Sequence, residues 1–207
     1  MGSIKRIGIL VTNNMEDMEF IIPFDIWKRA KYIVDTISCE TKNAASMNYS
    51  NIKIAADLNL SLTNLDQYDM LFFPGGPGFR SYLNPPATAR EIGEAKLHST
   101  IKKFYKNENK WLVAICAAPI ALTTVLEKEL EEDFRFTCYN DPKLIGDLSP
   151  KWLDQPIHFN EKRKVVTAQA ASCATQLAFT IVELFSGMEE AQRIAKSVLY
   201  DYQSSIS

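Results

Sequence analysis

Trp111-Leu-Val-Ala-Ile115, then Cys116, then Ala117-Ala-Pro119 and an apolar segment reaching Val125 form the stretch whose reading decides the fold. A β-strand runs straight into a helix, and Cys116 stands at the join. A residue held between strand end and helix start projects its side chain at the carboxyl edge of a sheet. There it lies beside the helix's unpaired N–H groups and the positive end of its dipole. Such surroundings favour thiolate, the reactive form of cysteine, so position alone makes Cys116 a candidate for covalent or redox chemistry.

Outward from this unit, apolar runs alternate with helical patterns. Ile7 to Val11 is a short strand-like run, followed by the polar turn Thr12-Asn-Asn14 and a helix over about residues 16–31. In that helix Phe20, Phe24, Trp27 and Ala30 recur at three- and four-residue steps. Pro23 lies past its first turn and should bend it. Strands are expected at 33–39 and 52–56. Leu58-Asn-Leu-Ser-Leu62 alternates as a half-exposed strand does, and Asp69-Met-Leu-Phe-Phe73 reads as a buried strand ended by Pro74-Gly75-Gly76. A long polar helix is expected over 89–107. Beyond Cys116 come the acidic run 127–133, a strand over 135–139, a loop punctuated by Pro and Gly over 141–156, a strand over 164–168, and helices over 172–186 and 189–202 separated by Gly187. The alternation predicts a single α/β domain over residues 1–207, a three-layer sandwich with a mostly parallel central sheet and helices on both faces. Its ligand site should lie at the carboxyl ends of the strands.

Composition narrows the classes of function. The 207 residues, 46% of them apolar, suffice for a core without staples. A net charge of −2 offers no basic face for nucleic acid or anionic lipid. The apolar run after Met1 is too short for a signal peptide's hydrophobic region, and no stretch approaches ~20 apolar residues, so the expectation is a soluble cytoplasmic protein. Cys39, Cys116, Cys138 and Cys173 lack CxxC spacing and read as free thiols, and with only His98 and His158 as histidines no metal site or cofactor is expected.

In a sheet of this kind the loops after the first strand (Asn13 to Glu19), after Phe73 (Gly75-Gly76) and after Ile115 (Cys116) converge on one crevice. An N–H at Gly75 or Gly76, unobstructed by a side chain, and the N–H of Ala117 make an oxyanion-type donor pair. A carboxylate from the first helix, Glu16, Asp17 or Glu19, supplies or accepts a proton, and a neighbouring thiolate raises its pKa.

These residues together resemble the DJ-1/PfpI (ThiJ) superfamily, and within it the DJ-1-like branch. The likeness is carried by Met15-Glu-Asp-Met-Glu19 with Ile22-Pro23, by Asp69 through Gly76, by Ala114-Ile-Cys-Ala-Ala-Pro119, and by Phe179-Thr-Ile-Val-Glu-Leu-Phe-Ser-Gly187. The resemblance implies a flavodoxin-like sandwich with Cys116 as the nucleophilic, redox-sensitive cysteine and Glu19 as the buried, protonated acid hydrogen-bonded to it. It also accounts for Pro23, and it implies a homodimer through the first helix, with Met15, Met18 and Phe20 as candidates for that face. Core packing accounts for those three nearly as well.

The chain departs from the family pattern at the histidine that many relatives carry near the cysteine. Ala117 follows Cys116, the second slot is matched by Cys138 or Tyr139, and His98 and His158 read as plain surface residues. Ala170-Ala171, with Cys173 close behind, replaces the Gly-Pro of the loop that normally lines the site. An amidase- or protease-like hydrolase is the less favoured alternative, since it needs a base to activate attack and protonate an amine leaving group, and a glutaminase-like amidotransferase is disfavoured because no His-x-Glu follows the cysteine. Addition of a thiolate to an aldehyde needs only the cysteine, one acid/base and oxyanion donors. The expected activity is therefore glyoxalase or deglycase chemistry on small dicarbonyls such as methylglyoxal, through a hemithioacetal on Cys116 with Glu19 as acid/base and the Gly75, Gly76 and Ala117 backbone at the oxyanion. The alternative is an oxidative-stress sensor or redox-regulated chaperone in which Cys116 is oxidised to sulfinate. Arg80 reads as a solvated residue that is also placed for an anionic substrate or an oxidised thiol, and Cys138 and Cys173 as buried or secondary redox thiols.

Overall fold

The computed structural model describes residues 5–85, 90–91 and 94–205. Along the chain run β1 (Arg6–Val11), α1 (Asp17–Arg29), β2 (Ile33–Ser38), β3 (Ala44–Ser46), β4 (Lys53–Ala55), β5 (Leu58–Asn59), β6 (Met70–Phe73), α2 (Arg80–Leu83), β7 (Arg90–Glu91), β8 (Glu94–Ala95), α3 (Lys96–Lys106), β9 (Trp111–Ile115), α4 (Ala118–Val125), α5 (Pro142–Ile145), β10 (Ile157–Asn160), β11 (Val165–Ala168), α6 (Ala174–Ser186) and α7 (Met188–Ser197). Seven of the strands make one sheet in the order β10-β11-β9-β6-β1-β2-β5. Every pairing in it is parallel except that of the edge strand β10 with β11.

The central strands are apolar on both faces because both faces are covered. Successive side chains of a strand point to opposite sides. Met70 and Phe72 of β6, with Val113 and Ile115 of β9, pack among Phe20 and Trp27 of α1, Leu177 and Ile181 of α6 and Ile194 of α7. Leu71 and Phe73, with Leu112 and Ala114, pack among Tyr82 of α2, Ile101 of α3 and Leu122 of α4. The result is the expected α/β sandwich. Trp27 pins α1 to two layers at once: its ring meets Phe72 edge to face at 5.0 Å, and its indole N–H donates to the Ala178 carbonyl at 3.1 Å.

Several expectations are corrected. Residues 53–55 do not join the central sheet; β4 pairs antiparallel with β3 in a separate hairpin. The long polar helix contracts to α3. Arg90–Glu91 and Glu94–Ala95 pair as a short hairpin before it, and residues 89, 92 and 93 of the expected helix lie outside the described residues. Residues 135–139 form no strand of the sheet. Phe136 makes a single bridge with Trp152, and the amide of Thr137 donates to the side-chain oxygen of Thr167 at 2.9 Å in place of a ladder bond. The acidic run is not wholly solvated, since Glu131 pairs with Arg163 and accepts from the Tyr105 hydroxyl. Pro23 sits inside α1, which continues through it.

The fold makes a direct prediction about its core. Phe72 is fully buried against Trp27, so Phe72→Ala lowers the unfolding free energy by about 3–5 kcal/mol. The check is the urea midpoint at unchanged slope; a loss below about 1 kcal/mol contradicts this packing.

Candidate active site

In the sheet β1, β6 and β9 are adjacent, so the loops leaving their carboxyl ends meet. Cys116 turns the chain from β9 into α4 with φ of +62°, the left-handed region that side-chain-bearing residues rarely adopt. Two backbone bonds hold it there. Its N–H donates to the Ala168 carbonyl at 2.9 Å, and its own carbonyl accepts from the amide of Tyr139 at 2.8 Å.

Facing it is Glu19, fully buried in the first turn of α1. Its Oε2 accepts the N–H of Gly75 at 2.7 Å. A β-carbon at position 75 would fall 2.7 Å from that same Oε2, 2.8 Å from Cys116 Cβ and 2.8 Å from the Ile115 carbonyl oxygen, so only glycine lets the three loops close. Burial, reinforced by the charge of Glu16, pushes the Glu19 carboxyl up to about 7, against the opposing pull of the Gly75 amide and the Cys116 thiol. Its Oε1 is buried without a hydrogen-bond partner of regular geometry, although the thiol lies close enough to act on the carboxyl.

Two expectations about the chemistry change here. Cys116 does not rest as a thiolate: burial, then the negative charge of Glu19 and the hydrogen bond to it, push its thiol above the ordinary range, while the N–H groups of Gly76 and Ala117 directed at it pull the other way. The helix start stabilises the anion, but desolvation outweighs it. Also, the amide of Gly75 is engaged by Glu19 and is not available to an oxyanion, which leaves Gly76 and Ala117 as the donor pair.

A cavity of about 470 Å³ opens over Cys116 and Glu19, and Gly76 and Ala117 are in its wall. Glu16 lines it but uses Oε2 to cap α1 by accepting from the Glu19 amide at 2.8 Å, whereas Asp17 accepts from the amides of Tyr49 and Ser50, each at 3.1 Å. The three rival carboxylates thus separate into a cap, a tether and a partner of the thiol. Arg80, Ala170 and Ala171 line the cavity. So does Tyr139, one of the two residues matched to the histidine slot, while Cys138 is buried with its thiol pushed up to about 12 by desolvation. His98 Nε2 donates to the Tyr82 carbonyl at 2.8 Å and His158 is paired with Gln155; both are half-buried rather than exposed, and neither lines the cavity. Asn48 and Tyr49, beside the β3–β4 hairpin, and Leu144 on α5 also line it. The sequence reading missed them, since nothing local marks a hairpin as folding over a distant site; the tether to Asp17 is what brings it there.

Met15, just before α1, and Phe20 on it are buried in the core, which takes both away from the expected dimer face, while Met18 and Ile21 of α1 are exposed. No helix among the described residues is long and apolar enough to cross a membrane.

The model of the DJ-1/PfpI family matches residues 5–184. The chain belongs to the DJ-1/PfpI family. An uncharacterized protein of Mycoplasma pneumoniae is 30% identical over 205 residues, covering 96% of this chain and 90% of that protein. The glutathione-independent glyoxalase DJ-1 of Schizosaccharomyces pombe is 23% identical, covering 93% of this chain and 97% of that protein. Oxidized DJ-1 of Toxoplasma gondii superposes with a TM-score of 0.78 at 22% identity over 96% of this chain and all of that one, a likeness of fold.

The raised pKa of Glu19 makes stability depend on pH. The folded state holds the Glu19 proton up to about 7, the unfolded chain only up to about 4.5. Between those values the folded state binds more protons, so stability present at low pH declines as pH rises through this window, by up to roughly 3 kcal/mol. Glu19→Gln, which has no proton to lose, is therefore expected to melt at a higher temperature than wild type at pH 8 and at a similar one at pH 4.5. An equal offset at both pH values contradicts the assignment.

Proposed function

We propose that the protein is a cofactor-independent glyoxalase, or the related deglycase, acting on small dicarbonyls such as methylglyoxal through Cys116. The observation that carries this reading is one buried carboxyl, with a pKa near neutrality and an unpartnered oxygen, beside a thiol at a strand–helix elbow. Such a group serves as base and acid in turn at neutral pH. The glyoxalase similar to this chain supports the family, and the geometry supports the chemistry.

Glu19 takes the thiol proton as sulfur attacks the aldehyde carbon, and the carbonyl electron pair moves to oxygen, facing the N–H groups of Gly76 and Ala117. Glu19 returns the proton to that oxygen, giving a neutral hemithioacetal and a carboxylate. The carboxylate then removes the proton on the former aldehyde carbon. The electrons pass to the adjacent carbonyl, whose oxygen takes that proton from Glu19 to give an enediol; Glu19 then moves the hydroxyl proton of the former aldehyde carbon to the neighbouring carbon, leaving a carbonyl on sulfur's carbon. The product is a thioester of a 2-hydroxy acid, which water hydrolyses to the free acid and thiol. Oxidation of one carbon balances reduction of the other, so no cofactor is needed. One acid/base covers every proton transfer, which is how a site without histidine manages the reaction.

A second reading has its own observation. The N–H groups of Gly76 and Ala117 and a protonated Glu19 surround the sulfur with donors, an arrangement suited to the oxygens of a sulfinate in a redox sensor. If intact mass after mild peroxide shows oxygen on other thiols and none on Cys116, that reading falls. We further propose that the chain dimerises through the outer face of α1 at Met18 and Ile21, tested by sedimentation of Met18→Glu.

The enzyme reading predicts lactate from methylglyoxal without glutathione. Cys116→Ser is expected to abolish turnover, and Glu19→Gln to lower kcat by about 10²-fold or more. For wild type kcat/KM should inflect near pH 7, with the inflection absent in Glu19→Gln. Turnover by Cys116→Ser equal to wild type sinks the mechanism.

A further inference from the structure

The cavity is larger than the substrate proposed for it. At about 470 Å³ it falls in the range of pockets that enclose ligands well beyond a three-carbon dicarbonyl. Its polar lining is also biased. The side chains of Asn48, Tyr49, Arg80, Tyr139 and Ser172 line it without a hydrogen bond to any described residue, and each of them can donate. The carboxylates sharing the wall are partly engaged, Glu16 by the Glu19 amide at 2.8 Å and Asp141 by the Lys143 amide at 2.9 Å. The carboxyl of Glu19 is held by Gly75.

Among the described residues of this wall, Arg80 alone carries a full positive charge. It has no carboxylate partner among the described residues, and its guanidinium lies over the Phe79 ring at 4.8 Å. The loop that delivers it is tightly fixed. The Glu16 amide donates to the Gly75 carbonyl at 3.2 Å, and the Gly78 amide donates to the Asn14 carbonyl at 3.1 Å. Position 78 admits no β-carbon, which would fall 2.2 Å from the Asn13 carbonyl oxygen. Arg80 therefore leaves a rigid turn packed against the loop that carries Glu19, with its planar fork stacked and free to take a carboxylate in bidentate fashion.

We infer that the cavity takes a 2-oxoaldehyde bearing a carboxylate arm, with Arg80 binding the carboxylate while the aldehyde meets Cys116. This rests on the dicarbonyl reading above, and it deepens that reading by naming the substrate class. It also assigns Arg80 as a specificity residue, one whose loss changes which dicarbonyl is preferred.

The test compares 4,5-dioxopentanoate with 2-oxopentanal, a neutral dicarbonyl of equal chain length. Wild type is expected to favour the anionic compound in kcat/KM by about tenfold or more, and Arg80→Ala to bring the ratio of the two toward one, with Arg80→Lys between. Arg80 is exposed, so neither substitution threatens the fold. Calorimetry with 4-oxopentanoate, which has the arm and lacks the aldehyde, reads Arg80 without turnover; binding by wild type that weakens about tenfold in Arg80→Ala supports the assignment. Should wild type turn over neither dicarbonyl, the glyoxalase reading fails while this binding result still decides the anion site. A wild-type ratio near one, a ratio unchanged in Arg80→Ala, or 4-oxopentanoate binding alike to wild type and Arg80→Ala overturns the proposal.

Discussion

The hydrogen bond from the Gly75 amide to Glu19 Oε2, at 2.7 Å and beneath Cys116, is the contact on which the rest of the site depends. It joins the loop after β6 to the first turn of α1, and it fixes there a carboxyl that is fully buried. A buried carboxylate with a single amide donor is poorly supported. The group therefore keeps its proton toward neutrality. The same burial that unsettles the carboxylate unsettles the thiolate beside it. The two groups are best regarded as one site with a proton to share, in which an anion on either partner opposes an anion on the other.

This arrangement tolerates local strain because the surrounding backbone holds it in place. The left-handed conformation at Cys116 costs on the order of 1–3 kcal/mol in general. It persists because the amide and carbonyl of Cys116 are both bonded, to Ala168 at the end of β11 and to Tyr139 in the segment before α5. Removing either support would free the elbow to relax, and the sulfur would leave the amides of Gly76 and Ala117. The geometry around one atom thus draws on β6, β9, β11, α1 and the chain at 139, elements far apart in sequence and adjacent only in the folded sheet.

What was legible in the sequence follows from how local each cause is. Fully apolar runs such as Met70–Phe73 and Trp111–Ile115 announce strands covered on both faces, and the elbow at Cys116 is readable because strand, cysteine and helix are contiguous. Residues 135–139 have strand-like composition, but the Thr137 amide finds the Thr167 side chain, a choice made by a neighbour 30 positions away. The protonation of Cys116 is hidden from the sequence for the same reason. A helix start is visible locally, whereas the burial that overrides it comes from distant loops. The hairpin wall at Asn48 and Tyr49 was invisible because its tether, Asp17, looked like one more acidic residue of a helix start.

The missing histidine now has a physical consequence. A Cys–His pair can rest as an ion pair, with nucleophile and proton already separated. Here the base beside the thiol is Glu19, a carboxyl with a pKa near neutrality, and passing it the sulfur proton creates no new net charge, since Glu19 loses its charge as Cys116 gains one. In the proposed addition the thiolate is generated by moving a proton over a short distance inside a largely buried site, with the amides of Gly76 and Ala117 already aimed at the sulfur. A nucleophile made this way exists mainly while Glu19 holds the proton, and that proton is the one the first adduct requires. In the proposed reaction nucleophile and acid arise in the same step, which is what carbonyl addition asks of a single carboxyl beside a single thiol.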